Sequence, residues 1–305
     1  MRNARPVCPN PECENHKSPA RGFYAKDGYR KTKSSRSPTP RYKCKTCGRR
    51  FSASQTRQTH RQHRPELGEQ VFKLAVSGVS MRRMENILKC DTRTIERKIA
   101  DLARKAKAAH QVFLGNPANH TRLAMMDELE TFVHARHKQL SVPIVVRART
   151  GQILSFGVAR TTSKMKLGGA GIKPLPPGGT NWHIDDRSRV VTATLADAFV
   201  AMKPDGAILT DGSSSYPKWV KRHMPGVKHL VRMSPKESGL GRAKKRADGE
   251  PRENDPLFAI NLLFAKMRND LARLGRKTWT TTKSIKGLEN HLWLYVAWTN
   301  GYPLK

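Results

Sequence analysis

The segment LAMMDELETFV, Leu123 to Val133, reads as a β-strand with acidic residues set into an apolar run. Side chains alternate between the faces of a sheet, so Asp127 and Glu128 point to opposite sides. Glu130, an odd number of positions from Asp127, also lies opposite. Working outward, Val142 to Arg149 reads as a second strand, and Thr150-Gly151 turns the chain into a third, Ile153 to Val158. Gly and Pro cluster from Gly168 to Gly179, an exposed loop. Val190 to Met202 is amphipathic and helical. Ala207 to Asp211, AILTD, is a short buried strand ending in an acid. Ser213 to Arg222 reads as a helix, Val227 to Met233 as a strand, and Pro256 to about Leu274 as a long helix with basic and apolar faces. Lys236 to Glu253 is mostly Gly, Lys, Arg and Glu, a loop or disordered stretch.

Upstream, residues 64–110 change period. From Pro65 to about Ala106 the apolar residues fall at helical spacing. One helix spans roughly Glu66 to Val76. Gly78-Val79-Ser80 breaks it, and Ser80 is placed to cap a second helix marked by Met81, Met84 and Ile87-Leu88. Asp91-Thr92 starts a third, with Ile95, Ile99 and Leu102 inward. Short helices joined by a tight turn form a helix-turn-helix. The third would lie in the DNA major groove, presenting Arg93, Thr94, Arg97 and Lys98. Cys90 reads as a small core residue.

Residues 1–55 hold two cysteine pairs, Cys8 with Cys13 and Cys44 with Cys47. Zinc takes four tetrahedral thiolate or imidazole ligands, and two short Cys turns brought together by a hairpin supply them. The intervening Lys, Arg, Ser and Pro could not build a core alone, so the metal would supply folding free energy. This predicts a zinc ribbon. His60 and His63 read as part of a basic linker, because the four cysteines already close the shell.

The chain has 305 residues and a formal net charge of +34. Its pI is about 10.6. Such a balance is the footprint of a nucleic-acid binder, with affinity that falls as salt rises. A duplex-reading helix-turn-helix argues for DNA over RNA, whose deep major groove excludes side chains. No apolar stretch approaches a membrane span and no secretory signal is present, so a cytoplasmic, nucleoid-associated setting with reduced cysteines is expected.

The succession of three strands, a helix, a strand and later helices over residues 120–305 fits an RNase H-like α/β domain. Asp127 and Asp211 are its candidate catalytic acids. Attack on a phosphodiester is helped by divalent cations. Magnesium takes oxygen ligands and keeps several waters, so a few carboxylates suffice.

Over nearly its whole length the chain resembles the DDE-type insertion-sequence transposases of the insertion-sequence-one type and their neighbours. The ribbon and helix-turn-helix resemble that family's DNA-binding part. MDELETFV resembles its first motif, an Asp-Glu pair followed by an aromatic-Val pair, here Phe132-Val133. LTDGSSSY resembles the second, an apolar strand ending in Asp with an aromatic nearby, here Tyr216. LARLGRKTW, Leu271 to Trp279, with Thr281-Thr282-Lys283-Ser284, resembles the segment after the third. The resemblance implies an RNase H-like fold, catalytic magnesium or manganese, and cleavage and joining of double-stranded DNA at element ends by a homodimer. The departure is the third acid. Its position falls on Asn261 in FAINLLFAKMRND, giving an Asp-Asp-Asn variant. Asn can offer a carbonyl oxygen to a hard cation but adds no charge. Asp255, Asp270 and Glu289 are alternative acids out of register. Arg268, two turns beyond Asn261, could meet phosphate, and Lys266, Arg273, Arg276 and Lys277 form a basic stretch that would hold DNA. Trp279, Trp293, Tyr295 and Trp298 are expected to pack a C-terminal helix onto the core, with stacking on a flipped base as the lesser alternative. The competing expectation is a catalytically inactive DNA-binding regulator or domesticated relative.

Overall fold

The computed structural model describes residues 6–31, 38–52, 64–135, 138–161, 185–232, 256–275 and 279–304. The expected loops at 168–179 and 236–253, together with His60, His63, Asp255, Arg276 and Lys277, lie outside them. The chain divides into two compact units, one reaching to Leu67 and one of Gly68–Leu304.

The first unit carries a short helix α1 (Glu14–Lys17) and an antiparallel sheet of three strands, β1 (Tyr24–Arg30), β2 (Thr39–Cys44) and β3 (Arg50–Ser52). Its core is small. Cys8, Cys13, Cys44, Phe23 and Phe51 are buried, with Tyr24 and Tyr42 against them. The Phe23 and Phe51 rings stack at 6.1 Å. So few apolar groups cannot offset the chain entropy of the unit unaided.

The second unit is a mixed α/β fold. Helices α2 (Leu67–Ala75), α3 (Met81–Leu88) and α4 (Thr92–Gly115) come first. Ser80 accepts a hydrogen bond from the Arg83 amide and Asp91 one from the Arg93 amide, so both helices start at side-chain caps. Between α2 and α3, Gly78 takes a φ of +73°, a conformation open to glycine at no steric cost. Its amide donates to the Asp270 carbonyl at 2.7 Å.

A six-stranded sheet follows, in the order β6-β5-β4-β8-β9 with β7 on β5. The strands are β4 (Thr121–Phe132), β5 (Gln139–Arg147), β6 (Ile153–Phe156), β7 (Ala159–Arg160), β8 (Met202–Thr210) and β9 (Lys228–Val231). β5 pairs antiparallel with β4, β6 and β7, whereas β8 pairs in parallel with β4 and β9. Helices α5 (Arg187–Phe199) and α6 (Tyr216–His223) connect the parallel strands. Then come α7 (Phe258–Asp270), a single 3-10 turn (Ala272–Leu274) and α8 (Ile285–Asn300).

Alternation along the strands divides the apolar side chains between two cores. Met125, Leu129, Val142, Ile144 and Leu209 join Ile260, Phe264 and Met267 of α7 and Leu292 and Tyr295 of α8. Ala124, Met126, Val145 and Ile208 join Val191 and Leu195 of α5 and Tyr216 and Val220 of α6. The first core also takes in Val71, Met84, Ile95, Ile99 and Leu102. The three helices expected as a unit of their own at 64–110 therefore share a core with the sheet and its α7-α8 cover. His110 shows why α4 outruns that boundary: its ring bonds the Leu154 carbonyl and the Tyr302 hydroxyl, each at 2.8 Å. Among the described residues no helix is long and apolar enough to cross a membrane.

Candidate functional site

In the first unit the sulfurs of Cys8, Cys13, Cys44 and Cys47 all lie within 4.8 Å of one another. Cys8 and Cys47 sit 3.5 Å apart and Cys13 and Cys44 3.9 Å. Four thiolates about 2.3 Å from a tetrahedral zinc stand roughly 3.8 Å apart, so the donor set fits that ion. Burial pushes the Cys8 and Cys13 thiols up, while a hydrogen bond at Arg49's backbone draws the Cys47 thiol down. A bound cation would hold all four as thiolates and release their protons. Turn geometry builds the cluster: the Cys13 amide bonds the Asn10 carbonyl and the Gly48 amide the Cys44 carbonyl. The expected four-cysteine site is thus brought together, and it can hold a metal such as zinc.

The second site stands at the carboxyl ends of β4's pairing with β8. Met125 faces Leu209 across those parallel strands. Two residues further along lie Asp127, still on β4 and on the face that carries Met125 and Leu129, and Asp211, the residue that follows the end of β8, near enough for its charge to act on Asp127. Burial above all, and then the charge of Asp211, raises the Asp127 carboxyl to about 6. The Glu128 amide and the Arg268 charge act in the opposite direction. The Glu128 amide donates to Asp127 Oδ1 at 2.7 Å, and the Ser213 amide to Asp211 Oδ1 at 3.0 Å.

On α7, Ile260, Leu263, Phe264 and Met267 face the core. Arg268 and Asn261 are seven positions apart, about 20° around the helix, and border the same side of that stripe. Arg268 is half-buried and its charge is felt at Asp127; Asn261 is exposed. Asp270 is engaged elsewhere: it accepts from the Tyr295 hydroxyl at 2.9 Å. Glu289 lies near Lys286 on α8.

Behind the aspartates, on the other sheet face, lies a network that the sequence reading did not assemble. The Arg187 guanidinium clamps both oxygens of Glu128. Ser141 and Tyr216 also donate to that carboxylate, Tyr216 at 2.7 Å. Burial works against the charge of Glu128, but the donors prevail and hold its carboxyl below the usual range. The guanidinium also sits over the Trp219 ring, 5.3 Å from its centre. The signal was present in outline, since an acid on an apolar strand face needs a buried partner. Nothing local to Arg187 named it as that partner.

The expected DNA-facing residues separate. Arg93 and Arg97 are exposed on α4, Thr94 is half-buried, and Lys266 is exposed on α7. Lys98 is a correction. It is 7% exposed, because helical spacing sets it on the stripe of Ile95, Ile99 and Leu102. Arg273 turns inward against Gly287 of α8, and desolvation brings its guanidinium down to about 10. The aromatic expectations divide too. Tyr295 is buried, and Trp293 packs its ring at 4.7 Å from that of Phe156. Trp298 is half-exposed beside Phe72, and Trp279, expected to pack, is 98% exposed.

Comparison with models of known protein families and with curated proteins finds no match to this chain.

Proposed function

We propose that this chain is a DNA transposase whose second unit is an RNase H-like strand-transfer domain. The observation that carries the reading is the placement of Asp127 on β4 beside Asp211, which directly follows the parallel strand β8, with Asp127 raised by burial and by its neighbour's charge. A buried carboxylate whose proton affinity is raised by a neighbouring carboxylate marks a site that gains from a divalent cation. The donor set is all oxygen and suits magnesium or manganese, with the Asn261 side-chain carbonyl as the third protein ligand. Bound there, such an ion supplies charge neutralisation at a phosphodiester and a more acidic water or hydroxyl. The chain's own residues position and bind. Glu128, clamped by Arg187 and Tyr216, holds the backbone beside Asp127. Arg268 places a cation on the same side of the site, where phosphate would lie. Arg93, Arg97 and Lys266 offer exposed charge to duplex DNA, and the cysteine ribbon with its zinc adds a second binding element. Joining two DNA ends in one complex calls for a homodimer.

The test is nicking of a supercoiled plasmid that carries the coding sequence with its flanking DNA, in magnesium or manganese. Wild type is expected to nick, Asp211→Ala to be inactive while still binding DNA, and Asn261→Glu to keep or raise activity. Wild type that binds tightly but never nicks sinks the enzymatic reading.

One observation favours a second reading. Asn261 brings no negative charge to the site, so the ion would be held by two acids rather than three. That arrangement suits a DNA-binding regulator that has lost catalysis, and the plasmid assay separates the two.

A further inference from the structure

Trp279 is 98% exposed, yet it does not sit on a free tail. Thr280 Oγ1, next to it, donates to the Ala272 carbonyl at 2.7 Å. Thr282, fully buried, pairs with Val133 in a parallel bridge, and its carbonyl accepts from the His134 amide at 2.9 Å. The segment is therefore fastened to the sheet within three residues of an indole left in water. A Trp ring is the largest apolar group a chain can bury, and leaving it exposed forgoes that gain.

Its position adds meaning. β8 pairs with one edge of β4 only as far as Met125, and Val133 pairs with Thr282 on the Trp279 segment. Among the described residues no strand is paired to that edge between them, while the opposite edge stays on β5. The unpaired stretch starts at Asp127 and ends at Trp279's anchor, roughly 20 Å along an extended strand. The sequence around the indole, Arg273 to Lys286, includes Arg276, Lys277 and Lys283 and no acidic residue. An exposed aromatic face on a segment whose sequence is cationic and free of acids suits an unpaired nucleobase, since every base has a π-face and its backbone is anionic.

We infer that Trp279 is a stacking post for an unpaired base of single-stranded DNA leaving the Asp127–Asp211 pair along the open edge of β4. The inference rests on the DNA-processing reading above and adds a substrate preference to it: duplex with a single-stranded flank over blunt duplex.

The test compares full-length, zinc-loaded protein with Trp279→Ala and Trp279→Phe. The probes are a fluorescein-labelled blunt duplex and the same duplex extended by a single-stranded tail of either polarity, read by anisotropy. Wild type is expected to bind a tailed probe more tightly. Trp279→Ala should lose about tenfold or more on that probe and nothing on the blunt one, while Trp279→Phe keeps most of the preference. An indole this exposed is not needed for folding, so an equal loss on both probes, or no loss, overturns the stacking role. Wild type without tail preference overturns it while leaving the DNA reading intact. Wild type that binds neither probe overturns both. Failure of the plasmid nicking assay does not alter this comparison, because it reads binding alone.

Discussion

The Tyr216 hydroxyl donates a 2.7 Å hydrogen bond to Glu128, joining the residue beside Asp127 to the helix that follows Asp211. The two acidic segments, far apart in the chain, are thereby tied through the back of the sheet. With Arg187 on the same carboxylate, the tie fixes the backbone that carries both candidate ligands.

Tyr216→Phe should therefore cost about 1 kcal/mol of stability, the value of one hydrogen bond to a carboxylate that keeps its other donors. Glu128→Ala should cost about 3 kcal/mol, since it leaves the Arg187 guanidinium without its partner. Urea unfolding measures both. In the plasmid assay Tyr216→Phe is expected to lower nicking more than DNA affinity; equal changes would mean a general structural role.

The Asp127 carboxyl gives a pH signature. Its value in the fold, about 6, lies above the ordinary 3.8, so the fold binds the proton more tightly than the unfolded chain. Stability from this group is complete below about 3.8 and is lost as pH rises through about 6. Asp127→Asn keeps the oxygen that accepts the Glu128 amide and removes the charge. It should raise the stability of metal-free protein at pH 7 by about 1–2 kcal/mol and change little near pH 4. Magnesium should raise the Tm of wild type and not of the variant.

Metal removal should act on one unit. Chelation of the cysteine cluster, or Cys44→Ser, is expected to unfold the small sheet of β1, β2 and β3, whose own core is a few aromatic rings. The second unit should keep its melting transition. Amide signals of Tyr24, Tyr42 and Phe51 would collapse while those of β4 and β5 persist; loss of both together would contradict the independence of the small sheet.

Gly78→Ala probes the corner between α2 and α3. The residue has a φ of +73°, and an added Cβ would stand 3.0 Å from the Asn269 carbonyl oxygen. A cost of about 1–2 kcal/mol is expected from backbone strain and the displaced α7 end. Thermal unfolding checks the value, and a neutral result would mean that the corner relaxes.

Exposed arginines on α4 should act on DNA uniformly. Arg93→Ala and Arg97→Ala are each expected to lower the slope of log affinity against log salt by about one phosphate contact. Lys98→Ala, on the core side, should change stability and leave the salt slope alone.

Much of the secondary structure is legible in the sequence. The strand expected at Leu123–Val133 spans Thr121–Phe132, and the helix expected at Val190–Met202 spans Arg187–Phe199. The caps at Ser80 and Asp91 stand where they were read. β8 starts earlier than AILTD, at Met202, because its first residues pair with the start of β4, a partner distant in the chain. Lys98 was misjudged because a basic residue was read by charge alone, when its spacing put it on the apolar stripe. Trp279 was misjudged because aromatic character does not reveal whether a core remains to receive it.

What the sequence determined by itself is local and periodic. Apolar alternation set strands, spacing near 3.6 set helices, small polar side chains set caps, and paired cysteines set a four-cysteine donor cluster. Each depends on residues within a few positions, or on a ligand chemistry that admits few residue types. The tertiary structure decided which distant residues meet. Parallel pairing of β4 with β8 brought Asp211 near Asp127, and α5 delivered Arg187 to Glu128. One core joined α2, α3 and α4 to α7 and α8, and the bridge of Val133 to Thr282 fastened the segment after an exposed Trp279. These follow from register and packing across long loops, where the favourable contacts form only after chain entropy has been given up, so no short stretch of sequence carries their signature.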